Sequence, residues 1–485
     1  MESIKNDITG GIIAGVVALP LALAFGIASG LGASAGLWGA IVLGFFAAAF
    51  GGTKMQVSGP TGPMSVVCAA TVFHFTGDIG TIMSIFVLAG LFQISFGILK
   101  LGKLVKFIPY SVVSGFMTGV GFIIIILQLN PMLGVEGVGS TIVAIKSLPT
   151  ALSNINPTAL IIALLTLTIL YLTPKKLANI IPPALIALII LTPVCAVFSL
   201  DIPLIGDIPT GFPEFIVPSP DLTKIVSIIM YALMLAILGS IDSLLTSLVA
   251  DSITNTKHNS NQELIGQGIG NALVGFVGGI PGAGATMRTV ANIKAGGRGR
   301  LSGATHSVFL LLVVLVLAPV VSYVPLSVLA GILIKVGIDI LDYRLLKQTS
   351  SVSKEDLFVD FTVLLLTVFV NLIFAVGVGI VLAFILYKMT APKERFEISF
   401  LDDEKIAAIK GVVYFGTSSE FIEKLNSINT DFTIDCSNLS FIDISGIYAL
   451  EDFINSSDKK VTILVSKKAN LDGFRTILKD SIKEV

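Results

Sequence analysis

The sequence predicts an α-helical membrane protein of fourteen spans, arranged as two inverted halves, followed by a small cytoplasmic α/β domain. Of its 485 residues, 54% are hydrophobic and only 13% are charged, a balance that a soluble globule cannot cover with polar surface. Charge is concentrated at the C-terminal end, because 28 of the 63 charged residues lie in 392–485. We therefore expect a transmembrane domain at 1–391 and a separate domain at 392–485. The net charge of −1 offers no basic surface for nucleic acid.

Each half of the first domain contains seven apolar segments that can serve as membrane spans, for which about 20 residues are usual. The first seven are 8–28, 34–50, 60–76, 80–99, 109–130, 158–173 and 179–199. The second seven are 224–251, 262–279, 285–295, 302–321, 325–341, 355–374 and 376–390. The N-terminus lacks the pattern of a cleavable signal peptide, so we expect the first span to be retained.

Basic residues orient these spans. On this threading one side of the membrane receives Lys5, Lys100, Lys103, Lys106, Lys175, Lys176, Lys257, Lys294, Arg298, Arg300, Arg344, Lys347, Lys354 and Lys388. Cytoplasmic loops are enriched in Lys and Arg, so we expect both termini in the cytoplasm. We expect the protein to lie in the plasma or inner membrane. Residues 199–223 contain no Lys or Arg and are predicted to form an outside loop.

The two halves are related in sequence. IPYSVVSGFMTGVG at 108–121 matches VPLSVLAGILIKVG at 324–337, and AFGG at 49–52 matches FVGG at 276–279. Because each half has an odd number of spans, the second half must enter the membrane from the opposite face. Inverted repeats of this kind are typical of secondary transporters.

Proline and glycine interrupt one apolar segment in each half. SGPTGPMSVV at 58–67 follows the first of the matched glycine pairs, and GIPGAGATMRTVANIK at 279–294 follows the second. A helix-packing kink is one interpretation, but irregular backbone at membrane depth is also tolerated where it lines a wet cavity. Two helix N-termini would then meet near the midplane and offer N–H groups to an anion. Thr61 and Thr286 lie where these helices begin, and Arg288 follows two residues later.

GSIDSLLTSLVAD at 239–251 places a carboxylate inside the eighth span. Insertion of such a group costs roughly 2.5–3.5 kcal/mol, so a functional role is the default hypothesis. Asp242 and Thr246 share one helix face. Together with carbonyl groups near Gly284 they can hold a sodium ion; alternatively Asp242 carries a proton, or pairs structurally with an arginine or hydroxyl. Asp251, near the cytoplasmic end, is expected to be solvated.

Other chemistry-bearing residues give no catalytic pattern. Cys68, Cys195 and Cys436 are interpreted as packing residues, and His74, His258 and His306 as isolated structural histidines. No Ser/His/Asp or Cys/His set and no phosphate-binding loop is visible, so neither an enzyme nor ATP-driven transport is expected. We expect no cofactor other than a coupling sodium ion.

The C-terminal domain alternates strands and helices. A strand followed by a capped helix is predicted in 411–428, a second such pair in 431–454, a strand at 461–466 and a helix at 471–482. Ser445 stands between Asp443 and Gly446 where a helix should begin. It is either a candidate for phosphorylation or an N-terminal capping residue.

Four motifs together resemble the sulfate permease (SulP) family. They are GVVALPLALAFGIASG at 15–30, PTGPM at 60–64, the GSIDSLLTSLVAD segment, and GAGATM at 282–287. The C-terminal domain resembles the STAS domain shared with anti-sigma factor antagonists. Within the family, the likeness is greatest to the cyanobacterial sodium-dependent bicarbonate transporters.

This resemblance implies a core domain and a gate domain with the substrate between the third and tenth spans. It implies anion contacts at Thr61, Ala285 and Thr286, and a sodium site at Asp242, Thr246, Gly284 and Thr286. Arg288 matches an arginine common near the site in the wider family. A homodimer formed through the STAS domain is also implied.

Three positions depart from family patterns. Leu21 stands where sulfate-type members carry Gln, and Asp242 stands where many proton-coupled members carry Glu. In FIDISG, Ile444 replaces a serine found in relatives, which weakens the case for a phosphorylation switch at Ser445. We expect sodium-dependent bicarbonate symport into the cell by alternating access. The alternatives are a proton-coupled sulfate or dicarboxylate symporter or exchanger, an uncoupled anion channel, and a membrane anchor whose STAS domain binds a partner.

Overall fold

The computed structural model describes residues 2–102, 108–178, 181–206, 211–370, 372–392, 394, 396–401, 405–428, 430–457, 459–465, 472–478 and 482–484. Lys103 and Lys106, parts of the predicted outside loop, and the end of the last predicted helix lie outside these ranges. By packing, the chain divides into two compact units, one of residues 1–103 and 120–340, the other of residues 104–119 and 341–485. The predicted domain boundary at residue 391 falls within the second unit and stays a prediction.

The first unit is helical, apart from two strands of two residues each. Its helices, in chain order, are α1 (Glu2–Ala28), α2 (Ala33–Phe50), α3 (Gly62–His74), α4 (Ile79–Ile98), α5 (Tyr110–Met132, which begins in the second unit), α6 (Thr141–Ser153), α7 (Pro157–Leu172), α8 (Lys175–Ala178), α9 (Pro183–Val197), α10 (Ile225–Thr254), α11 (Ser260–Val274), α12 (Thr286–Lys294), α13 (Arg300–Val321) and α14 (Leu326–Ile340). The strands are β1 (Ser58–Gly59) and β2 (Ala283–Gly284).

Each predicted span overlaps a helix, although some bounds differ, as at 262–279 where α11 ends at Val274, and α6 and α8 lie outside the predicted spans. Within the described ranges, six helices are long and apolar enough to cross a bilayer unaided, namely those at Ser3–Ala28, Ala33–Phe50, Ile79–Ile98, Tyr110–Met132, Leu222–Thr254 and Arg300–Val321. The helices α6 and α7 meet at a bend of 118°. Others, including α3 and α9, are apolar but shorter than a bilayer. The structure therefore confirms a helical membrane protein, while the number of crossings stays a prediction.

Helices of the first unit approach one another backbone to backbone. A Cβ atom added at Gly36 of α2 would lie 1.9 Å from the Ala22 carbonyl oxygen of α1. One added at Gly268 of α11 would lie 2.6 Å from the Gly90 carbonyl oxygen of α4. Small residues at such contacts are the usual means of helix association in membranes, because lipid supplies no hydrophobic driving force between helices.

The two interrupted segments meet in a short β-ladder. The strands β1 and β2 pair antiparallel, with Ser58 opposite Gly284 and Gly59 opposite Ala283. Each strand leads directly into a helix, α3 after β1 and α12 after β2. Because the strands are antiparallel, the two helices depart in opposite directions, as expected of segments that enter from opposite faces. We call this ladder and the first turns of α3 and α12 the crossing.

The second unit contains a five-stranded sheet. Its elements are α15 (Tyr343–Lys347), α16 (Lys354–Phe369), α17 (Leu372–Thr390), β3 (Glu397–Leu401), β4 (Ile406–Val413), α18 (Phe415–Asn426), β5 (Phe432–Ile442), α19 (Ile444–Ser456), β6 (Val461–Val465), α20 (Asp472–Ile477) and β7 (Ile482–Glu484). The strand order is β3-β4-β5-β6-β7; only the pairing of β3 with β4 is antiparallel. The alternating strands and helices confirm the predicted α/β domain, to which the structure adds β3 and β7.

Helix caps in this domain correct one expectation. The N-cap of α19 is Asp443, whose Oδ1 accepts a hydrogen bond from Gly446 N at 2.8 Å. Ser445 is therefore not the capping residue that the sequence suggested. Its Oγ instead accepts from Tyr110 N at 2.9 Å, within the same unit. The Asp443 side chain already occupies the capping position, so the Ser445 hydroxyl is free to bind another partner.

Candidate functional site

The crossing brings Thr61 into contact with Asp242. Thr61 is the N-cap of α3 and has extended backbone angles, but its side chain does not cap its own helix. Instead its Oγ1 donates to Asp242 Oδ2 at 2.7 Å. A hydroxyl at the start of one interrupted helix thus contacts the carboxylate of the intact helix α10. The two residues were predicted to serve different ligands, and the structure makes them neighbours.

A second cluster joins α10 to the other interrupted segment. Thr246 Oγ1 donates to the Gly284 carbonyl oxygen at 2.9 Å and lies 2.7 Å from Thr286 Oγ1. Because the Thr246 proton is directed at Gly284, Thr286 is the donor in the second contact. Ser243, one turn before Thr246, accepts from Gly284 N at 3.0 Å. Gly284 is therefore fixed through both of its backbone polar groups.

The first turns of α3 and α12 leave their N–H groups uncapped by side chains. Such helix starts carry unsatisfied donors and a partial positive charge, which together attract anions. Ala285, the N-cap of α12, is 8% exposed, whereas Thr286 is exposed. Thr61, Ala285 and Thr286 are thus placed at the helix starts where the sequence analysis expected anion contacts.

Arg288 lies in the first turn of α12, and its side chain is buried within the crossing. Its side chain is 1% exposed, and Nη2 donates to the Pro60 carbonyl oxygen at 2.9 Å. Nε and Nη1 have no hydrogen-bond partner among the described residues. A Cβ atom at Gly59 would lie 2.2 Å from Nη1, so a larger residue there would displace the guanidinium. Arg288 therefore places a buried positive charge at the start of α12 and fixes the Pro60 carbonyl.

The Asp242 carboxylate and the neutral oxygens that cluster at Thr246, one turn along the same helix, are ligand types that hard cations take. The oxygen ligands available to a cation are the Asp242 carboxylate, the Thr246 and Thr286 hydroxyls and the Gly284 carbonyl. Within the described part of the chain, no group of three or more His, Cys, Asp or Glu residues could hold a metal ion. A ligand set made only of oxygen atoms suits hard cations rather than the softer metals that prefer Cys or His, and one carboxylate balances the charge of one monovalent cation.

A row of polar residues on α11 was not predicted from the sequence. Glu263, Gln267 and Asn271 lie one helical turn apart and are all buried. Their hydrogen bonds reach both interrupted segments: Gln267 Nε2 donates to Ser58 Oγ at 2.6 Å, and Asn271 Oδ1 accepts from Gly282 N at 2.9 Å. The signal was present in the sequence, because polar residues at i, i+4 and i+8 inside an apolar span share one face.

A hydrogen-bonded set of Asp251, His258 and Ser260 corrects a second expectation. His258 Nδ1 lies 2.6 Å from Asp251 Oδ2, and Nε2 lies 2.9 Å from Ser260 Oγ. Asp251 is therefore partnered rather than simply solvated, and a Ser/His/Asp set does exist. Asp251 also accepts from His258 N at 3.0 Å, so the set builds the turn between α10 and α11. Short-range backbone turns of this kind are not visible in residue spacing.

Comparison with protein families gives two matches that together cover most of the chain. The model of the sulfate permease family matches residues 4–363. The model of the STAS domain matches residues 395–467.

Among curated proteins, the bicarbonate transporter BicA of Picosynechococcus sp. is 50% identical over 397 residues, covering 79% of this chain and 70% of that protein. The bicarbonate transporter BicA of Synechocystis sp. is 42% identical over 490 residues, covering 94% and 87%. The putative sulfate transporter YvdB of Bacillus subtilis is 32% identical over 477 residues, covering 94% and 89%.

Solved structures give the same picture of the fold. The transmembrane domain of a cyanobacterial bicarbonate transporter BicA superposes with a TM-score of 0.72 at 44% identity, covering 79% of this chain and 98% of that structure. The structure of SLC26A9 superposes with a TM-score of 0.73 at 20% identity, covering 100% of this chain and 89% of that one. The second likeness concerns the fold alone.

Proposed function

The chain belongs to the sulfate permease family, and from this premise we propose that it is a sodium-coupled bicarbonate importer that works by alternating access. The observation that carries the proposal is the contact between Thr61 Oγ1 and Asp242 Oδ2, at 2.7 Å. It joins the carboxylate expected to bind sodium to a hydroxyl expected to bind the anion. The choice of bicarbonate as the transported anion rests on the two BicA relatives, since both are named as bicarbonate transporters.

The proposed coupling is electrostatic and hydrogen-bonded at once. A sodium ion beside Asp242 would compete for the carboxylate lone pair that now accepts from Thr61. The freed Thr61 hydroxyl can then donate to an anion at the crossing, beside the uncapped starts of α3 and α12. The cation also offsets the negative charge of Asp242, which would otherwise repel the anion at close range. Each ion therefore improves the binding of the other, and thermodynamic linkage makes the improvement reciprocal.

Thr246, Gly284 and Thr286 complete the proposed sodium site, and Ala285, Thr286 and Arg288 the anion site. Thr286 belongs to both sets because its hydroxyl contacts Thr246 while its position opens the first turn of α12. The neutral oxygens of Thr246, Thr286 and Gly284 favour sodium over a proton as the coupling ion. A proton carrier would need the carboxylate of Asp242 but no cluster of neutral oxygen ligands. We further propose cytoplasmic termini and a homodimer formed through the STAS domain.

The test is uptake of labelled bicarbonate, and separately of labelled sulfate, into proteoliposomes containing the full chain. Initial rates are measured with an inward sodium gradient and with potassium in its place, at equal pH on both sides. We expect bicarbonate uptake that sodium stimulates at least tenfold. Sulfate uptake indifferent to sodium would overturn the proposal in favour of the sulfate transport suggested by the name of the Bacillus relative. Bicarbonate flux that persists unchanged without sodium would indicate a channel.

A further inference from the structure

We infer that Glu263 is a positioning residue for transport: its carboxylate holds the crossing in register with the sodium site on α10. The inference deepens the proposed function and rests on it. Glu263 contacts neither the proposed anion site nor the proposed sodium site directly. It acts through Gln56, Gln267 and the loop that precedes β1.

Four hydrogen bonds converge on the Glu263 carboxylate, and all have lengths of 2.8 Å. Oε2 accepts from Gly52 N and Thr53 N, and Oε1 accepts from Gln56 Nε2 and Gln267 Nε2. The side chain is 1% exposed. All four partners are neutral donors, so the negative charge is satisfied by hydrogen bonds alone. Charge-assisted bonds of this kind are stronger than neutral ones, which suits a role in fixing geometry.

Two of these partners, Gln56 and Thr53, also contact Ser247 of α10, next to the proposed sodium site. Ser247 follows Thr246 in the chain, and its Oγ donates to Gln56 Oε1 at 2.9 Å. Ser247 Oγ also lies 2.7 Å from Thr53 Oγ1. The Gln56 side chain in turn packs on Gly284, where an added Cβ would lie 2.2 Å from Nε2. The position of Glu263 is therefore transmitted to two of the proposed sodium ligands.

The same helix reaches the crossing by a second route. Gln267 Nε2, which donates to Glu263, also donates to Ser58 Oγ at 2.6 Å. Ser58 pairs with Gly284 in the ladder. Asn271, one turn further on, brackets Gly282 by accepting from its N–H at 2.9 Å and donating to its carbonyl at 3.0 Å. One face of α11 thus fixes the positions of both interrupted segments relative to that helix.

Glutamine cannot replace Glu263 in this network. A glutamine amide has one acceptor oxygen, and if that oxygen serves Gly52 and Thr53, its NH2 group faces the NH2 groups of Gln56 and Gln267. Gln56 can relieve its part of the conflict only by rotating its amide, which turns its NH2 toward Ser247, and Gln267 can do so only by turning its NH2 away from Ser58. The hydrogen bond next to Thr246 then reverses direction. A Gln56→Glu change in the same chain restores an acceptor that faces both Ser247 and the amide introduced by Glu263→Gln.

The experiment compares full-length wild type, Glu263→Gln and the double variant Gln56→Glu/Glu263→Gln in proteoliposomes. For each, the half-saturating sodium concentration, the bicarbonate KM and the maximal rate per folded molecule are measured. We expect Glu263→Gln to raise both half-saturation constants at least fivefold, and the double variant to recover at least half of that loss on a logarithmic scale. A purely structural role would lower the amount of folded protein and leave both constants unchanged.

Unchanged constants in Glu263→Gln, or a double variant no better than Glu263→Gln alone, would overturn the inference. If Glu263→Gln fails to insert, Gln56→Glu alone is the second variant: it places two carboxylates together and should raise the same constants. Sodium-dependent thermal stabilisation of the purified protein, measured against potassium, provides a readout without uptake. Wild type lacking any sodium response would defeat the proposed function instead, so the two failures are distinguishable.

Discussion

Asp242 and Thr61 share a hydrogen bond of 2.7 Å but contribute different things to it. The carboxylate supplies charge, and the hydroxyl supplies one proton that can be redirected. Both residues could be identified from the sequence, because a carboxylate in an apolar span and a threonine after a Gly/Pro break are each unusual. It could not show that they touch, since they lie on segments 181 residues apart.

Asp242→Asn should abolish the sodium dependence of uptake. Asparagine keeps the size of the side chain and an acceptor for Thr61 but removes the charge that attracts the cation. We expect the stimulation of initial bicarbonate uptake by sodium to fall at least tenfold. The matched control is Asp251→Asn, on the same helix but engaged with His258 at 2.6 Å; it should keep the sodium response. An unaltered sodium titration in Asp242→Asn would place the sodium site elsewhere.

Thr286→Val should weaken the anion without unfolding the protein. Valine preserves the side-chain shape but removes a hydroxyl whose proton can turn from Thr246 to the anion, a loss of about 1 kcal/mol, or roughly a fivefold rise in bicarbonate KM. Thr246 keeps its bond to the Gly284 carbonyl, so the surrounding backbone should stay in place. Thr286→Ser serves as the control and should retain most of the affinity. If KM in Thr286→Val equals the wild-type value, the hydroxyl does not contact the anion.

At the scale of elements, the order of helices could be predicted from apolar segments, and the interruption of α3 and α12 from proline and glycine. The pairing of β1 with β2 could not, because two-residue strands leave no periodic signal. The hydrogen bonding of α11 was also missed: its polar residues lie among apolar neighbours and glycines, and a search for spans averages them away. Its partners are distant in sequence, so residue spacing could not reveal them.

Gly282→Ala tests how tightly the crossing is packed. A Cβ atom there would lie 2.1 Å from the Gly59 carbonyl oxygen and 2.7 Å from Pro60 N, both backbone atoms that cannot move independently. Overpacking of this kind typically costs about 1–3 kcal/mol. We expect uptake to fall more than tenfold and the melting temperature of the purified protein to drop.

The matched control is Gly377→Ala in α17, where an added Cβ meets nothing within 4 Å. In that helix alanine should be neutral or stabilising by up to about 1 kcal/mol. Equal effects of the two substitutions on uptake would show that the crossing can widen without cost, contrary to the packing seen here.

At the scale of the whole molecule, composition and charge density were enough to separate a membrane part from an α/β domain. The division by packing was not predictable, because it groups α15, α16 and α17 with the C-terminal domain. Contacts within that unit explain the grouping: Arg344 Nη2 lies 2.9 Å from Asp452 Oδ1 and also pairs with Glu451, and Ile444 N donates to Asp356 Oδ2 at 3.3 Å. Such contacts depend on side chains far apart in sequence.

The stability of this second unit should fall as pH rises. Burial, and then the neighbouring carboxylate of Asp356, raises the pKa of Asp443 to about 8. The unfolded chain has an aspartate pKa of about 3.9, so between roughly pH 4 and pH 8 the folded state holds more protons than the unfolded state. Stability is therefore lost across that window, at no more than about 1.4 kcal/mol per pH unit.

Hydrogen exchange of the Phe415 and Gly446 amides, which donate to Asp443, measures this effect in the full chain. After correction for the intrinsic exchange rate, protection should decrease from about pH 5.5 to about pH 7.5, which lies inside that window. Asp356→Asn removes the like charge and should reduce the slope without abolishing it, because burial is the larger cause. Protection that stays constant or increases with pH in the wild type would contradict the assignment.

The charged side chains buried in and around the crossing also determine how membrane voltage acts on the transport cycle. Asp242, Glu263 and Arg288, taken as ionised, sum to one negative charge, and one sodium with one bicarbonate adds nothing to that sum. The loaded and the empty forms would then carry the same charge, whichever parts of the protein move. A potential of about 100 mV acts on each net charge that crosses with about 2.3 kcal/mol. If the proposed symport moves one sodium with each bicarbonate, the potential should do no net work over a complete cycle, and uptake would follow the sodium gradient alone, even in a depolarised cell.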